Sequence, residues 1–183
     1  MADDARYFDA FPDWLRSLAD DAVALAGLLT AESTPTPARR ALAGGLTYLF
    51  KSLDLVPDGI DDIGYMDDAF VLRLSAKAAS AVDGASAADI KGVLARLAGD
   101  VATIQSFLGD DFGRLEHYVH ELGKGAARGR TVEEIVNDAN VRKELASEIH
   151  AFAKAYAAPS FTRDEKTLVK LRSFLAARLP AAK

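Results

Sequence analysis

The sequence contains no cysteine, and this absence excludes several kinds of site. Without thiols the chain cannot form a disulfide scaffold, a cysteine-ligated zinc site or an iron–sulfur cluster, and it cannot use a thiol as a nucleophile. A chain without cysteine fits a reducing compartment, so we expect a cytoplasmic protein.

Hydrophobic runs of membrane-spanning length are also absent. The longest uncharged runs are Ala22 to Ala31 and Ala41 to Phe50, with ten residues each, whereas a transmembrane helix needs about 20 apolar residues. The first residues, Met1 to Asp4, include two aspartates, unlike the basic start of a signal peptide. We therefore expect neither a membrane-spanning helix nor a signal peptide.

Alternation of apolar and polar residues, the pattern of a β-strand, is missing as well. Instead, apolar residues recur at steps of three and four, which is typical of amphipathic helices. Hydrophobic residues make up 50% of the 183 residues and charged residues 27%, a composition that excludes disorder of the whole chain. The sequence therefore predicts a single all-α domain over residues 1–183, a compact bundle of about six to eight helices with no sheet.

The first predicted helix follows Pro12 and ends before Ser33. Its apolar stripe consists of Leu15, Leu18, Ala22, Leu25 and Leu29. Thr36 as N-cap and Pro37 at the first helical position then begin a second helix, because proline at that position loses no intrahelical hydrogen bond.

The second predicted helix runs to about Ser52, and its apolar stripe ends with Leu53. Glycine inside a helix costs about 1 kcal/mol relative to alanine. Gly44 and Gly45 therefore predict close contact with a neighbouring helix. After a loop, the next helix is predicted from about Tyr65 to Val82.

The middle of the chain is predicted to contain one long core helix and one shorter helix. Ser86 can cap the long helix, and its stripe is the most regular in the sequence: Ile90, Leu94, Leu97, Val101, Ile104 and Leu108. A shorter helix is predicted from Phe112 to Leu122. Residues 123–129 contain three glycines and predict a flexible connection.

Two capping-box patterns predict the C-terminal helices. Thr131 with Glu134 begins a helical stretch to about Tyr156, with a predicted break near Asn137 and Asp138. Thr162 with Glu165 begins the last helix. We interpret residues 131–183 as C-terminal helices that could form a subdomain.

Charge is distributed unevenly along the chain. Residues 1–70 have a net charge of -8 and residues 71–183 a net charge of +3, which together give the overall -5. An acidic half repels phosphate, so we expect no nucleic acid as a partner.

Six aspartates lie within the fifteen residues from Asp54 to Asp68. Residues 57–59, Pro-Asp-Gly, are a turn sequence, and Asp54 follows a helix end, where it can form an Asx-turn. Asp67 and Asp68 lie in the first turn of the next helix, where the helix dipole stabilises a negative charge by about 0.3–1 kcal/mol. We favour the interpretation that these acids shape a chain reversal.

A divalent cation is the alternative explanation for so many acids. Carboxylates suit Mg²⁺ or Ca²⁺, and a metal-dependent hydrolase could use Asp54, Asp58, Asp67 or Asp68. Adjacent helical residues point about 100° apart, which argues against one ion between Asp67 and Asp68. No calcium-loop pattern is present. We therefore expect no cofactor, with Mg²⁺ or Ca²⁺ as the alternative.

This segment resembles the YkvA-like family of small helical domains of unknown function. Its matching motif residues are Tyr48, Asp54, Pro57, Asp58, Gly64, Tyr65, Asp67 and Asp68. Ser52, Gly59 and Asp61 depart from the family pattern. The resemblance covers about residues 38–80. It implies a helical hairpin over residues 38–82 and no known reaction.

Two histidines lie close together in a predicted helix. His117 and His120, with Glu121 beside them, could hold a transition metal. The helical spacing places them on the polar side of that helix, so we favour two solvated histidines.

The last predicted helix has a basic face. Arg163, Lys166 and Lys170 lie on the side away from its leucines. Such a face can contact an anionic membrane surface or a partner, or can simply be the solvated face of the bundle.

Catalytic motifs are missing from the sequence. It contains neither a nucleophile-elbow pattern nor a phosphate-binding loop. We therefore favour a non-enzymatic helical interaction or scaffold module that binds a protein partner or self-associates. The alternatives are a divalent-metal-dependent hydrolase and a peripheral membrane protein that docks by its C-terminal helix.

Overall fold

The computed structural model describes residues 4–89 and 91–181. The α-helices in these residues are α1 (Ala5–Thr30), α2 (Thr36–Tyr48), α3 (Met66–Ser80), α4 (Ala85–Ala88), α5 (Val93–Gly99), α6 (Val101–Leu108), α7 (Phe112–Leu122), α8 (Val132–Asn137), α9 (Ala139–Ala155) and α10 (Glu165–Arg178). Helices α5 and α6 are separated by one residue, as are α8 and α9. If each pair counts as one bent helix, the described residues hold eight helices.

The predicted all-α class is confirmed, with one small departure from the expectation of no sheet. Two strands of two residues each, β1 (Ala126–Ala127) and β2 (Arg130–Thr131), pair in antiparallel register. Arg128 and Gly129 both have positive φ, 50° and 76°, and make the tight turn between the strands. The glycine-rich connection is thus a short ribbon in the structure.

Helix α1 begins earlier than the sequence predicted. It starts at Ala5, so Pro12 lies inside the helix instead of before it. Tyr7 and Phe11 are both buried. The buried face of α1 therefore continues on the N-terminal side of Pro12. The helix tolerates Pro12 because proline removes only one backbone donor.

The glycine pair of α2 does mark close helix contacts, as predicted. A Cβ on Gly44 would lie 2.8 Å from the backbone nitrogen of Gly123. A Cβ on Gly45 would collide with the side chain of Ser75 on α3. Helix α2 therefore packs against α3 on one side and against the end of α7 on the other.

The prediction of one long helix, capped by Ser86 and running to Leu108, is wrong, because this stretch contains the three separate helices α4, α5 and α6. Gly92 has a left-handed φ of 67°, and the Asp89 carboxylate accepts hydrogen bonds of 2.8 Å from the amides of Val93 and Leu94. The side chain of Asp89 thus caps a new helix. Ile90, the first member of the predicted stripe, lies outside the described residues.

Two further predictions need correction. Helix α2 ends at Tyr48, and Leu53 is 79% exposed instead of lying on its buried stripe. The predicted capping box at Thr162 does not form. The N-cap of α10 is Asp164, whose carboxylate accepts from the amide of Lys166 at 2.9 Å.

The capping box at Thr131 is confirmed. Its hydroxyl accepts from the amide of Glu134 at 3.1 Å, and the carboxylate of Glu134 accepts from the amide of Thr131 at 2.7 Å. The predicted break after Asn137 is also confirmed, because Asp138 has an extended backbone and caps α9.

A buried arginine lies at the centre of the bundle. Arg73 on α3 is 1% exposed and donates to the Asp100 carboxylate at 2.9 Å. Its guanidinium also lies 3.6 Å from the Asp21 carboxylate and 4.2 Å from the ring centroid of Trp14. Asp21 is itself buried and accepts from Arg96 at 2.5 Å. This network links α1, α3 and α5.

Replacing Arg73 by methionine should destabilise the protein by about 3–5 kcal/mol, because the buried Asp21 would lose one of its two cation partners. The measurement is urea unfolding followed by circular dichroism. The matched control is Arg16→Met, whose ion pair with Asp13 is exposed and should contribute about 0–1 kcal/mol. Equal effects of the two substitutions would contradict this account.

Candidate functional site

The predicted motif forms the loop between α2 and α3, residues 49–65, together with the helix ends on either side. The turn predicted at residues 57–59 is confirmed, since the amide of Ile60 donates to the carbonyl of Pro57 at 3.0 Å. The amide of Gly64 donates to the carbonyl of Ile60 at 2.9 Å. A side chain on Gly64 would collide with the carbonyl of Asp58, so the loop closes tightly only with glycine there.

Helix α3 begins one residue later than predicted. Tyr65 has a left-handed φ of 63°, and Asp62 has a φ of 72°. Aspartate adopts this conformation more readily than most residues, whereas for a tyrosine it commonly reflects a constraint from the surrounding structure. The reversal at Tyr65 places Asp67 and Asp68 in the first turn of α3, as predicted.

Asp67 is the centre of a buried hydrogen-bond network. The hydroxyl of Tyr48 donates to its carboxylate at 2.5 Å, and the amide of Val56 donates to the same oxygen at 2.9 Å. The amide of Leu55 in turn donates to the hydroxyl oxygen of Tyr48 at 2.7 Å. One carboxylate and one hydroxyl thereby join the end of α2, the loop and the start of α3.

The four motif acids Asp54, Asp58, Asp67 and Asp68, here called the aspartate cluster, influence one another's ionisation. Burial raises the pKa of Asp67 to about 7, although its two hydrogen bonds lower it. Burial, reinforced by the other three acids, raises the pKa of Asp68 well above its usual range. Burial and the charge of Asp58 raise the pKa of Asp54 to about 6. The chain thus keeps several carboxyls close together in a medium that disfavours their charges.

Two buried carboxyl oxygens in the cluster have no hydrogen-bond partner among the residues that the structure describes. They are Oδ1 of Asp67 and Oδ2 of Asp68. Asp67 is 0% exposed and Asp68 is 2% exposed. An unpartnered carboxylate oxygen is costly when charged, which agrees with the raised pKa of both groups.

Asp58 and Tyr65 form the outer part of the site. Asp58 lies at the surface. The hydroxyl of Tyr65 donates a hydrogen bond to the Asp58 carboxylate, and this hydrogen bond lowers the pKa of Asp58. The protein atoms packed around that carboxylate have the larger effect and raise the pKa. Burial and the nearby aspartates raise the pKa of Tyr65.

The geometry limits what these acids can do. A substrate cannot reach Asp67 or Asp68 without opening the fold, because both side chains are buried. Within residues 4–89 and 91–181, no three histidine or acidic side chains converge closely enough to hold one metal ion. No backbone amide in the same residues donates to the Asp54 carboxylate, so the expected Asx-turn is not formed.

The predicted basic face of the last helix is partly engaged inside the molecule. Lys170 donates to the carbonyl of Asp61 at 2.9 Å, and Arg163 lies 3.4 Å from the Asp9 carboxylate. Lys166 is exposed. Two of the three predicted contact residues are therefore engaged with the same chain, Lys170 with a backbone carbonyl and Arg163 with a carboxylate.

The predicted histidine pair is exposed. His117 and His120 both lie at the surface of α7, and Nδ1 of His120 is 3.3 Å from the Glu121 carboxylate. This agrees with two solvated side chains.

A groove between α2, α3 and α7 was missed by the sequence analysis. Its volume is about 580 Å³, and its lining residues are Thr36, Pro37, Arg40, Ala41, Leu74, Ser75, Lys77, Ala78, Ala81, Val82, Glu116, Val119, His120, Gly123 and Lys124. The small residues Ala78 on α3 and Ala81 just after it are exposed.

Stability should fall as pH rises from about 4 to about 7. The aspartate cluster binds more protons in the folded state than in the unfolded state over this window, because the folded pKa values of Asp54, Asp67 and Asp68 are raised. Asp68→Asn removes one buried charge and should flatten the dependence. The measurement is urea unfolding at several pH values.

The control for this experiment is Asp20→Asn, which removes an exposed carboxylate on α1 and should leave the slope unchanged. The same measurement is repeated with millimolar Mg²⁺ or Ca²⁺. If the acids have only a structural function, stability should depend on pH in the same way with and without the cation. A cation-dependent gain in stability above pH 7 would instead support a metal site.

No helix in the described part of the chain is long and apolar enough to cross a membrane. No curated protein and no solved structure matches the chain. Residues 38–74 match the family model described as Protein of unknown function (DUF1232). This match confirms the predicted resemblance and names no activity. Most of α2, the loop with its aspartates and the first part of α3 are therefore similar to DUF1232 proteins.

Proposed function

We propose that the protein is a non-enzymatic helical binding module whose groove between α2, α3 and α7 binds an acidic amphipathic helix of a protein partner. The observation that supports this proposal is the groove itself: an open apolar cavity of about 580 Å³ with a mainly cationic rim. Amphipathic helices bind such grooves through apolar residues on one face.

The floor of the groove suits apolar side chains. Its apolar lining includes Leu74 and Ala78 of α3, Val82 just after α3, Val119 of α7 and Ala41 of α2. The small side chains of Ala41 on α2 and Ala78 on α3 leave room in the groove. A volume of this size lies within the usual range for binding cavities, about 300–1,000 Å³.

The rim of the groove favours an acidic partner. Arg40, Lys77, His120 and Lys124 line it, with Glu116 as the one acid among the lining residues that the structure describes. The cations pair at the surface with Glu133, Glu116 and Glu121. Exposed ion pairs contribute only about 0–1 kcal/mol. A partner's carboxylates can therefore replace these acids at little cost.

The aspartate cluster supports a structural function for the motif. Asp67 and Asp68 are inaccessible, and Asp67 is occupied by hydrogen bonds from Tyr48 and Val56. A hydrolase could therefore use neither of these two, which leaves Asp54 and Asp58 among the motif acids to face a substrate. We therefore propose that the motif holds α2 and α3 in the arrangement that forms the groove.

Membrane docking by the last helix receives less support than the groove. Lys170 and Arg163 already contact Asp61 and Asp9 of the same chain. Docking on anionic lipid would require these contacts to be exchanged for headgroups. Lys166 alone among the three is left for such a surface, and one lysine contributes only about 1 kcal/mol.

A designed peptide tests the groove directly. An amphipathic peptide of about 18 residues, long enough to be helical, is made with leucines on one face and glutamates on the other. It should bind at least about tenfold more tightly than a peptide with lysines in place of the glutamates. Fluorescence anisotropy measures both affinities.

Ala78→Trp should abolish binding of the glutamate peptide by filling the groove. The control is Ala177→Trp, which adds the same bulk at an exposed position on α10. Equal affinity of the two peptides, or binding that survives Ala78→Trp, would contradict the proposal. Light scattering of the protein alone decides whether a second copy occupies the groove, because Ala78→Trp would then dissociate an oligomer.

A further inference from the structure

A second cavity, distinct from the groove, lies where the motif loop meets α9 and the β1–β2 turn. Its volume is about 350 Å³. Three aromatic residues line it, Phe50, Tyr65 and Phe152, together with the charged residues Asp58, Glu148 and Arg128. We call it the aromatic cavity. No catalytic or groove residue belongs to it.

The aromatic walls form a corner. The ring centroids of Phe50 and Phe152 are 6.4 Å apart with planes at 85°, and those of Tyr65 and Phe152 are 6.2 Å apart with planes at 55°. Aromatic faces have negative electrostatic potential, so rings that meet at an angle offer more than one face to a cation placed between them.

The acids of the cavity add to this negative potential. Within the described part of the chain, no cation lies within ion-pairing distance of Asp58. Asp58 is also close enough to Asp54 and Asp68 for their charges to affect one another. Glu148 pairs with Arg130 at 2.6 Å and so contributes less. The side of the cavity formed by the motif is therefore the negative one.

One cation of the chain, the guanidinium of Arg128, already lies over an aromatic ring of the cavity. The guanidinium of Arg128 lies 4.5 Å from the ring centroid of Phe50 and 3.7 Å from the Glu148 carboxylate. Its backbone has the left-handed φ of 50° at the turn between β1 and β2, a conformation that non-glycine residues adopt only with support from their surroundings. The side chain is 57% exposed, so it can leave the ring.

We propose that the aromatic cavity binds an alkylated ammonium group, which competes with Arg128 for the face of Phe50. Aromatic faces beside carboxylates recognise such groups because a quaternary ammonium is a weakly hydrated cation with an apolar surface. The group could belong to a free molecule such as choline or to a trimethylated lysine of a protein. This site is independent of the groove.

Titration of the full-length protein with choline, followed by amide chemical shifts in NMR spectra, tests the proposal. The matched ligand is 3,3-dimethyl-1-butanol, which has the shape of choline without its charge. Choline should bind at least about fivefold more tightly than the neutral alcohol, with shifts concentrated at the cavity. A short peptide with trimethyl-lysine distinguishes the two sources. If the peptide binds more tightly than choline, the ammonium group belongs to a protein.

Three variants establish where the ligand binds. Phe152→Leu and Asp58→Asn should each weaken choline binding by about threefold or more, whereas Arg128→Ala should strengthen it because the resident cation is removed. The control is Lys143→Ala at an exposed position of α9. Circular dichroism verifies that each variant folds. Because Asp58 lies at the surface, Asp58→Asn still tests the site if Phe152→Leu does not fold.

Two outcomes would overturn the proposal. One is equal binding of choline and the neutral alcohol. The other is choline binding that neither Asp58→Asn nor Arg128→Ala changes. Neither outcome bears on the peptide experiment at the groove, so the two proposals can fail separately.

Discussion

The structure depends on one buried contact, the hydrogen bond from the hydroxyl of Tyr48 to the carboxylate of Asp67. Tyr48 is the last residue of α2, and Asp67 lies in the first turn of α3. Two loop amides, those of Leu55 and Val56, complete the network. Because every donor in it would be unsatisfied without its partner, the network fixes the direction in which the chain reverses.

This constraint connects the motif to both cavities. The reversal brings α2 and α3 into contact at Gly45, while Gly44 packs against the end of α7, which completes the groove beside them. The same loop presents Asp58 and Tyr65 outward, where α9 and the β1–β2 turn enclose them. The acids thus differ by depth: Asp67 and Asp68 are buried at the start of α3, and the outer Asp58 lines the aromatic cavity.

Sequence patterns predicted the parts of the fold that depend on local chemistry. The Pro-Asp-Gly turn, the Thr131 capping box and the glycine contacts of α2 were all found from neighbouring residues. The break before α5 was not, because a regular apolar stripe hides the cap that Asp89 provides. The groove and the aromatic cavity were also missed, since each is built from segments that are distant in sequence. The buried ion pairs of Arg73 were missed for the same reason, because Asp21 and Asp100 are distant from it in sequence.

The most direct test of the central contact is a double-mutant cycle between Tyr48→Phe and Asp67→Ala, measured by urea unfolding. Alanine is used at position 67 because asparagine would still accept a hydrogen bond from the hydroxyl of Tyr48. The account predicts a coupling free energy of about 1–3 kcal/mol, since either single substitution already breaks the contact. Additive effects, with a coupling near zero, would show that Tyr48 and Asp67 stabilise the fold independently and would contradict the account.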